Sequence, residues 1–300
     1  MNIRKKELMM SEMRKRVREL LAAPEILELP GVYDAFSAKM AEKAGFTGLV
    51  MGGYQVSASM LAQPDVGYLS MTEMTFALKN ICDAVNVPVF ADGDTGYGNA
   101  MNVRRTTREY EHAGASAVLF EDQVWPKKCG HMEGKKVVPK EEHVMKIRAA
   151  VEARRDPDMV IIARTDARAV NGLEDALDRA KACAEAGADM LFVEAPQSLD
   201  ELKRVVEVLR PLGKPLMANM IEHGKTPGLT AKALEDMGFS AVFFPVCAMY
   251  TMAKSLTQLF KTLRKEGTTK GMEDQMLSFT EFNELIGLPE YNALEKKYRL

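Results

Sequence analysis

Two stretches of the 300-residue chain set reactive side chains close together. The first is ADGDTGYGN, residues 91–99, where Asp92 and Asp94 follow an apolar run at i and i+2. Carboxylates so placed after a strand converge on one point, and the glycines let backbone approach a bound group. Hard oxygen ligands of this kind suit Mg²⁺, or Mn²⁺, with waters completing an octahedron. A charged turn capping the next helix draws on the same residue types. The glycine order is G-x-x-G-x-G with no ribose-binding acid after it, which is not the dinucleotide-binding fingerprint.

The second stretch is DQVWPKKCGHMEGKKVV, residues 122–138, a length at which loops are usually functional or disordered. Cys129 lies among Lys127, Lys128 and His131, neighbours that favour a thiolate and lower a thiol pKa. Gly130 and Gly134 are where a mobile lid would hinge. The plain alternative is a solvated loop with an incidental cysteine.

The rhythm of the chain supplies a frame for both stretches. Four times a helix-like segment ends in Gly and runs into a short apolar strand, over 44–51, 113–121, 186–194 and 237–245. Gly after a last helical turn takes the left-handed conformation cheaply, and an apolar run without alternation is a strand buried on both faces. Strands over 26–32, 87–92, 158–165 and 214–219 complete a set of eight. Helical segments follow over 34–45, 71–85, 101–113, 140–155, 172–186, 198–210, 229–237 and 247–266. Strict alternation means parallel strands with crossovers, and eight units of this size make a (β/α)₈ TIM barrel. The expected organisation is a barrel with an N-terminal amphipathic helix over 1–266 and a C-terminal helical extension over 267–300. In the extension Phe279, Phe282, Leu285 and Ile286 share one helical face, which docks either under its own barrel or on a neighbouring subunit.

Barrel chemistry sits at the C-terminal strand ends. Those ends read Tyr33-Asp34, Gly52-Gly53-Tyr54, Asp92-Gly93-Asp94, Glu121-Asp122-Gln123, Arg164-Thr165-Asp166, Glu194, Asn219 with Glu222 behind it, and Pro245. Five of the eight carry a carboxylate facing one arginine, an excess of like charge that a divalent cation would neutralise.

Composition narrows the partners. The formal net charge of −2 gives no field for nucleic acid or membrane. The four cysteines show no C-x-x-C spacing, no apolar run approaches the ~20 residues of a membrane span, and the basic N-terminus lacks an apolar signal core. A soluble, cytoplasmic protein is expected. His112 and His143 fall on helices and read as surface or satisfied polar residues. Cys82, Cys183 and Cys247 read as core fillers, and the basic N-terminal helix as a solvated face.

EDQVWPKKCGHMEGK, with ADGDTGYGN before it and IIARTDA, FVEAP and ANMIEHGKTP after it, resembles the isocitrate lyase/phosphoenolpyruvate mutase superfamily. Within it the chain looks like the lyases acting on 2-substituted malates, the group of 2,3-dimethylmalate lyase, 2-methylisocitrate lyase and the petal death protein. The resemblance implies a Mg²⁺-dependent lyase that cleaves a dicarboxylate to pyruvate and a carboxylic acid. It implies Asp94 as direct metal ligand, with Asp65, Asp92 and Glu121 holding the metal's waters. Gly52, Gly53 and Tyr54 would cradle the 2-oxo-acid half and Arg164 would pair with its carboxylate. Glu194, Asn219, Gly130, His131 and Pro245 would line the site. Cys129 would be the general acid on a gating loop running Lys127, Lys128, Cys129, Gly130, His131 and Met132. Glu121, Tyr54 or a metal-bound water would take the hydroxyl proton. It also implies a homotetramer exchanging C-terminal helices. Methylisocitrate lyases typically carry Arg where this loop has Met132, and oxaloacetate hydrolases carry Ser where this chain has Pro245. Both departures favour an alkylmalate over 2-methylisocitrate and over oxaloacetate. A catalytically silent dicarboxylate-binding barrel is the non-enzyme alternative.

Overall fold

Eight short apolar segments pair side by side in chain order and close on themselves as a parallel barrel. They are β1 (Leu27–Val32), β2 (Leu49–Met51), β3 (Val89–Asp92), β4 (Ala117–Glu121), β5 (Val160–Thr165), β6 (Met190–Val193), β7 (Leu216–Asn219) and β8 (Ala241–Phe244). Closure joins β1 to β8 in a register running from Leu27 against Ala241 to Pro30 against Phe244. The computed structural model describes residues 3–299. They divide into two compact units, one up to Ala248 and one from Met249 onward.

The helices fall close to their expected bounds: α1 (Ile3–Ala22), α2 (Ala35–Lys43), α3 (Gly53–Leu61), α4 (Met71–Ala84), α5 (Ala100–Ala113), α6 (Lys140–Ala153), α7 (Leu173–Glu185), α8 (Leu199–Leu209), α9 (Ala231–Met237) and α10 (Cys247–Glu266). The glycines leading the even strands, Gly45, Gly114, Gly187 and Gly238, all have positive φ, so each stops its helix as the sequence implies. Helix α3 is an addition to the expected plan. It opens on a glycine pair and closes on Ala62 at φ 52°, a left-handed cap without the glycine that precedes the even strands.

Leu29, Phe90, Ile162, Phe192, Met217 and Phe243 fill the barrel interior together with Val17 and Leu21 of α1, so α1 closes the base. Its basic face is not simply solvated. Arg14 donates to the Ala115 carbonyl at 3.1 Å and the Glu111 carbonyl at 2.5 Å, and Arg18 to Pro157 at 2.8 Å and Asp189 at 3.0 Å. A forked guanidinium saturates loop carbonyls that a strand start leaves open. The second unit carries α11 (Phe279–Leu285) and α12 (Leu288–Tyr298), with Phe279, Phe282 and Ile286 exposed.

Candidate active site

The C-terminal strand ends form two clusters of opposite character. On the β2–β4 side, Asp92 ends its strand and accepts hydrogen bonds from the Gly53 and Asp94 amides, both at 3.0 Å. Asp94 sits at φ 49°, which turns its carboxylate inward. Tyr97 donates to Asp94 Oδ2 at 3.0 Å, while Tyr110 donates to the Asp92 carbonyl at 3.2 Å. Asp65, from the loop after α3, joins them through Lys127, whose ammonium lies 2.6 Å from both Asp65 Oδ1 and Asp94 Oδ1. Burial raises the Asp94 pKa to about 6, against the pull of Lys127.

Two buried oxygens here, Asp94 Oδ1 and Glu121 Oε1, have no aligned hydrogen-bond donor. At Gly53 a Cβ would stand 3.3 Å from Asp94 Oδ1 and 3.4 Å from Asp92 Oδ2, so only glycine leaves clear space before both carboxylates. Among the described residues no three His, Cys, Asp or Glu side chains are grouped to hold an ion unaided. Mg²⁺ keeps several waters and needs one or two carboxylates, which Asp94 Oδ1 and Glu121 Oε1, without aligned donors, offer. The donor set fits such an ion.

On the β5–β6 side the groups are cross-linked. Arg164 forks onto Asp166, with Nε 2.9 Å from Oδ2 and Nη2 3.1 Å from Oδ1. The same Nη2 lies 3.3 Å from Glu121 Oε2 and 3.3 Å from Glu194 Oε2. Asn219 donates to Glu194 Oε1 at 3.1 Å. Burial alone would raise the Asp166 carboxyl, but Arg164 and Lys135 hold it at about 2. Burial pushes Glu121 well above the usual carboxylate range despite Arg164, whereas Arg164 and His131 outweigh burial at Glu194 and bring it below.

The loop between β4 and α6 spans both clusters. Its stem is pinned by Val124 N–H to the Lys136 carbonyl and Val138 N–H to the Asp122 carbonyl, each at 2.8 Å. At the tip, Met132 N–H donates to the Cys129 carbonyl at 2.9 Å. The expected activation of Cys129 is reversed. Burial pushes its thiol up to about 11, because the lysines are engaged elsewhere. Lys127 is held by Asp65 and Asp94, and Lys128 reaches the Glu133 carbonyl at 3.2 Å. Gly130 is not a hinge of positive φ but a point of close approach, since a Cβ there would lie 2.5 Å from Arg164 Nη2 and 2.6 Å from Glu194 Cδ. Gly134 does take the left-handed conformation, at φ 74°.

Other expected residues are placed as follows. Gly52 caps α3 and Tyr54 lies in its first turn, while the Gly53 amide is committed to Asp92. His131 Nδ1 accepts from Lys225 N–H at 2.9 Å and Nε2 faces Glu194 Oε1 at 3.0 Å, so the ring already contacts protein on both sides. The Pro245 carbonyl accepts from Gln55 Nε2. Asp34 does not join the mouth; it caps α2, accepting from Ser37 N–H at 2.7 Å. Glu222 is exposed. His143 is neither surface nor satisfied: it is buried, neither ring nitrogen has a partner, and burial, then Lys146 and Arg179, lower it to about 3. Sequence reasoning missed Lys135, Tyr97, Tyr110 and the locking role of Asp166. Only the spacing of Tyr97 three residues after Asp94 hinted at any of them.

The phosphoenolpyruvate phosphomutase family profile matches residues 17–264. The chain is 46% identical to 2,3-dimethylmalate lyase of Eubacterium barkeri over 94% of its length and 97% of that protein. It is 50% identical to the petal death protein of Dianthus caryophyllus, over 90% of this chain and 85% of that one. Among solved structures, a 2,3-dimethylmalate lyase described as a PEP mutase/isocitrate lyase superfamily member superposes with TM-score 0.89 at 35% identity, covering 96% of this chain and 95% of that one. Phosphonopyruvate hydrolase in complex with oxalate and Mg²⁺ superposes with TM-score 0.86 at 32% identity, over 95% of this chain and 99% of that one.

Proposed function

For a carbon–carbon lyase that belongs to the PEP mutase/isocitrate lyase superfamily, we propose a 2-alkylmalate of the 2,3-dimethylmalate type as substrate and pyruvate plus a carboxylic acid as products. The observation that carries this reading is the placing of Cys129 beside Gly130, where a Cβ would lie 2.5 Å from Arg164 Nη2, together with burial that pushes the Cys129 thiol up to about 11. Such a thiol is a proton donor, and carbon–carbon cleavage leaves a carbanion that needs one.

Asp94 would hold Mg²⁺ directly, and Asp65, Asp92 and Glu121 would hold its waters. When bound, the ion supplies Lewis-acid stabilisation of negative charge on the 2-oxo-acid half. Arg164 pairs with the carboxylate of that half, while Gly52, Gly53 and Tyr54 orient it against the N-terminus of α3. The C2 hydroxyl gives its proton to Glu121, whose Oε1 lacks a donor; Tyr54 or a metal-bound water is the alternative acceptor. The electron pair of the O–H bond forms the C2 carbonyl, and the C2–C3 pair stays on C3. Cys129 Sγ then delivers a proton to C3, with the loop excluding water. Met132, which offers no guanidinium fork for a third carboxylate, supports a dicarboxylate over 2-methylisocitrate. Pro245 supports cleavage of an alkylmalate over hydrolysis of oxaloacetate.

A coupled pyruvate assay with Mg²⁺ on 2,3-dimethylmalate, 2-methylisocitrate and oxaloacetate tests this. Dimethylmalate leads, and EDTA abolishes turnover. If methylisocitrate leads, the reading of Met132 is wrong. Oxalate from oxaloacetate with silence on both malates overturns the reading of Pro245. The proposal extends to a cytoplasmic homotetramer exchanging C-terminal helices, supported by the exposure of Phe279, which is 86% exposed, and of Phe282 and Ile286. Sedimentation of the full chain against Phe279→Asp checks that assembly.

A further inference from the structure

Lys135 reads in sequence as one more cation of a basic loop. Its side chain is instead 2% exposed, whereas Lys136 beside it is exposed. The Lys135 ammonium donates to Asp166 Oδ1 at 2.9 Å and to the carbonyl of Gly130. That carbonyl belongs to the residue after Cys129.

The Gly130 backbone is therefore gripped from two directions. Arg164 and Glu194 fill the space that a Cβ on it would need, and Lys135 holds its carbonyl. Asp166 links the two grips, because the carboxylate that takes the Arg164 fork also takes Lys135. Asp166 cannot drift either: its own N–H donates to Asp122 Oδ1 at 2.8 Å, and Asp122 Oδ2 accepts from Thr165 Oγ1 at 2.6 Å.

We propose that Lys135 is a positioning residue for the lyase reaction: through the Gly130 carbonyl and Asp166 it sets Cys129 relative to Arg164. The proposal rests on the reading of Cys129 as the proton donor and of Arg164 as the carboxylate anchor. Lys135 and Asp166 thereby tie the residue next to the acid to the side chain that anchors the substrate. The stem hydrogen bonds lie at residues 122–124 and 136–138, beyond Lys135 from the tip. Lys127, through Asp65 and Asp94, and His131, through Glu194, also tie this loop to the barrel, but Lys135 acts on the carbonyl of the residue next to Cys129. A plain structural role predicts something different: a buried counter-ion for Asp166 whose loss costs stability and leaves the thiol where it was.

The experiment compares the full-length wild type with Lys135→Met and Lys135→Arg. Two readouts besides kcat and KM are used. One is the rate of Cys129 alkylation by iodoacetamide, resolved by mass spectrometry from Cys82, Cys183 and Cys247. The other is fluorescence of Trp125, the one tryptophan of the chain, which lies in this loop with its ring 6.0 Å from that of Tyr97. For Lys135→Met, kcat falls about 100-fold, the scale of a reacting group misplaced by ~1 Å. KM stays within about threefold, alkylation of Cys129 accelerates about tenfold or more, and Trp125 emission shifts. Lys135→Arg, whose fork reaches both acceptors, recovers most of kcat. If Lys135→Met does not fold, Lys135→Gln, which keeps a donor for one acceptor, is read the same way. The proposal is overturned if the folded variant keeps kcat within threefold and wild-type alkylation, or if kcat and KM change together while Cys129 stays protected. A wild type that turns over no malate defeats the substrate reading, while alkylation and fluorescence still decide the role of Lys135.

Discussion

The two halves of the site contain similar groups in opposite states. On the β2–β4 side, Asp65 and Asp94 share one lysine, and Asp94 Oδ1 and Glu121 Oε1 lack an aligned hydrogen-bond donor. On the β5–β6 side, Asp166 and Glu194 bind arginine, lysine, histidine or asparagine through both oxygens. Equal burial yields a binding site in one case and a rigid lock in the other, because only the first half leaves charge unsatisfied. Burying a carboxylate without partners is costly, so an unsatisfied one marks where a ligand supplies the missing cation.

Each half can be broken separately. The largest effect belongs to the thiol between them. Cys129→Ser lowers kcat by about 10²–10⁴, the range of a lost general acid, while Mg²⁺-dependent binding of oxalate measured by calorimetry is kept. Loss of oxalate binding as well would mean that Cys129 holds the loop and not only the proton. The wild-type pH profile sharpens the point: with the thiol near 11, no thiol-limited loss of kcat occurs at neutral pH, and an alkaline limb enters only as pH approaches that value.

Lys127→Met attacks the binding half. Removing one partner of a buried ion cluster costs about 3–5 kcal/mol, read as a lower melting temperature in EDTA. Saturating Mg²⁺ restores most of it if the ion and the ammonium answer the same charge. Equal destabilisation with and without Mg²⁺ would show that the metal lies elsewhere. Asp94→Asn follows, with a drop in Mg²⁺ affinity of at least about 10–100-fold by calorimetric titration and little change in the fluorescence of Trp125.

The smallest effect tests the packing behind the lock. His143 is held neutral in the fold, with a pKa lowered to about 3, whereas an unfolded histidine takes its proton near 6.5. Below that pH the unfolded chain binds a proton that the folded chain refuses, so stability falls as pH falls from about 6.5 towards 3. At pH 5 the loss is about 2 kcal/mol. His143→Gln removes it, narrowing the gap between melting temperatures at pH 7 and pH 5. An unchanged gap would assign the acid sensitivity to other groups.

The binding half was the more legible of the two. Asp92, Asp94 and Glu121 stand at strand ends, as do Arg164, Glu194 and Asn219 of the lock, and strand ends follow from glycine caps and apolar runs. The barrel was legible for the same reason, since local signals repeat eight times and parallel pairing follows from alternation. The closing contacts of the lock were not. Nothing periodic in GHMEGKKVV tells which lysine turns inward, and the inward turn of Lys135 depends on Asp166, 31 residues away. The thiol was misread because sequence proximity of Lys127 and Lys128 to Cys129 was taken as spatial proximity of their charges. Arg14 was misread for a related reason. A basic helix face looks solvated until the loops it ties are known.

The closure of β1 on β8 has a consequence for synthesis and for truncation. Leu27 pairs with Ala241, so the first strand made waits for the last before either has both neighbours. Until then β1 and β7 each present an open row of amides and carbonyls, the template on which chains add to one another. A contact of such sequence separation forms slowly, because the closure entropy comes before the stabilisation. Versions of this chain that stop short of residue 241 are therefore expected to be recovered as aggregates rather than as smaller barrels, whatever their share of the catalytic residues.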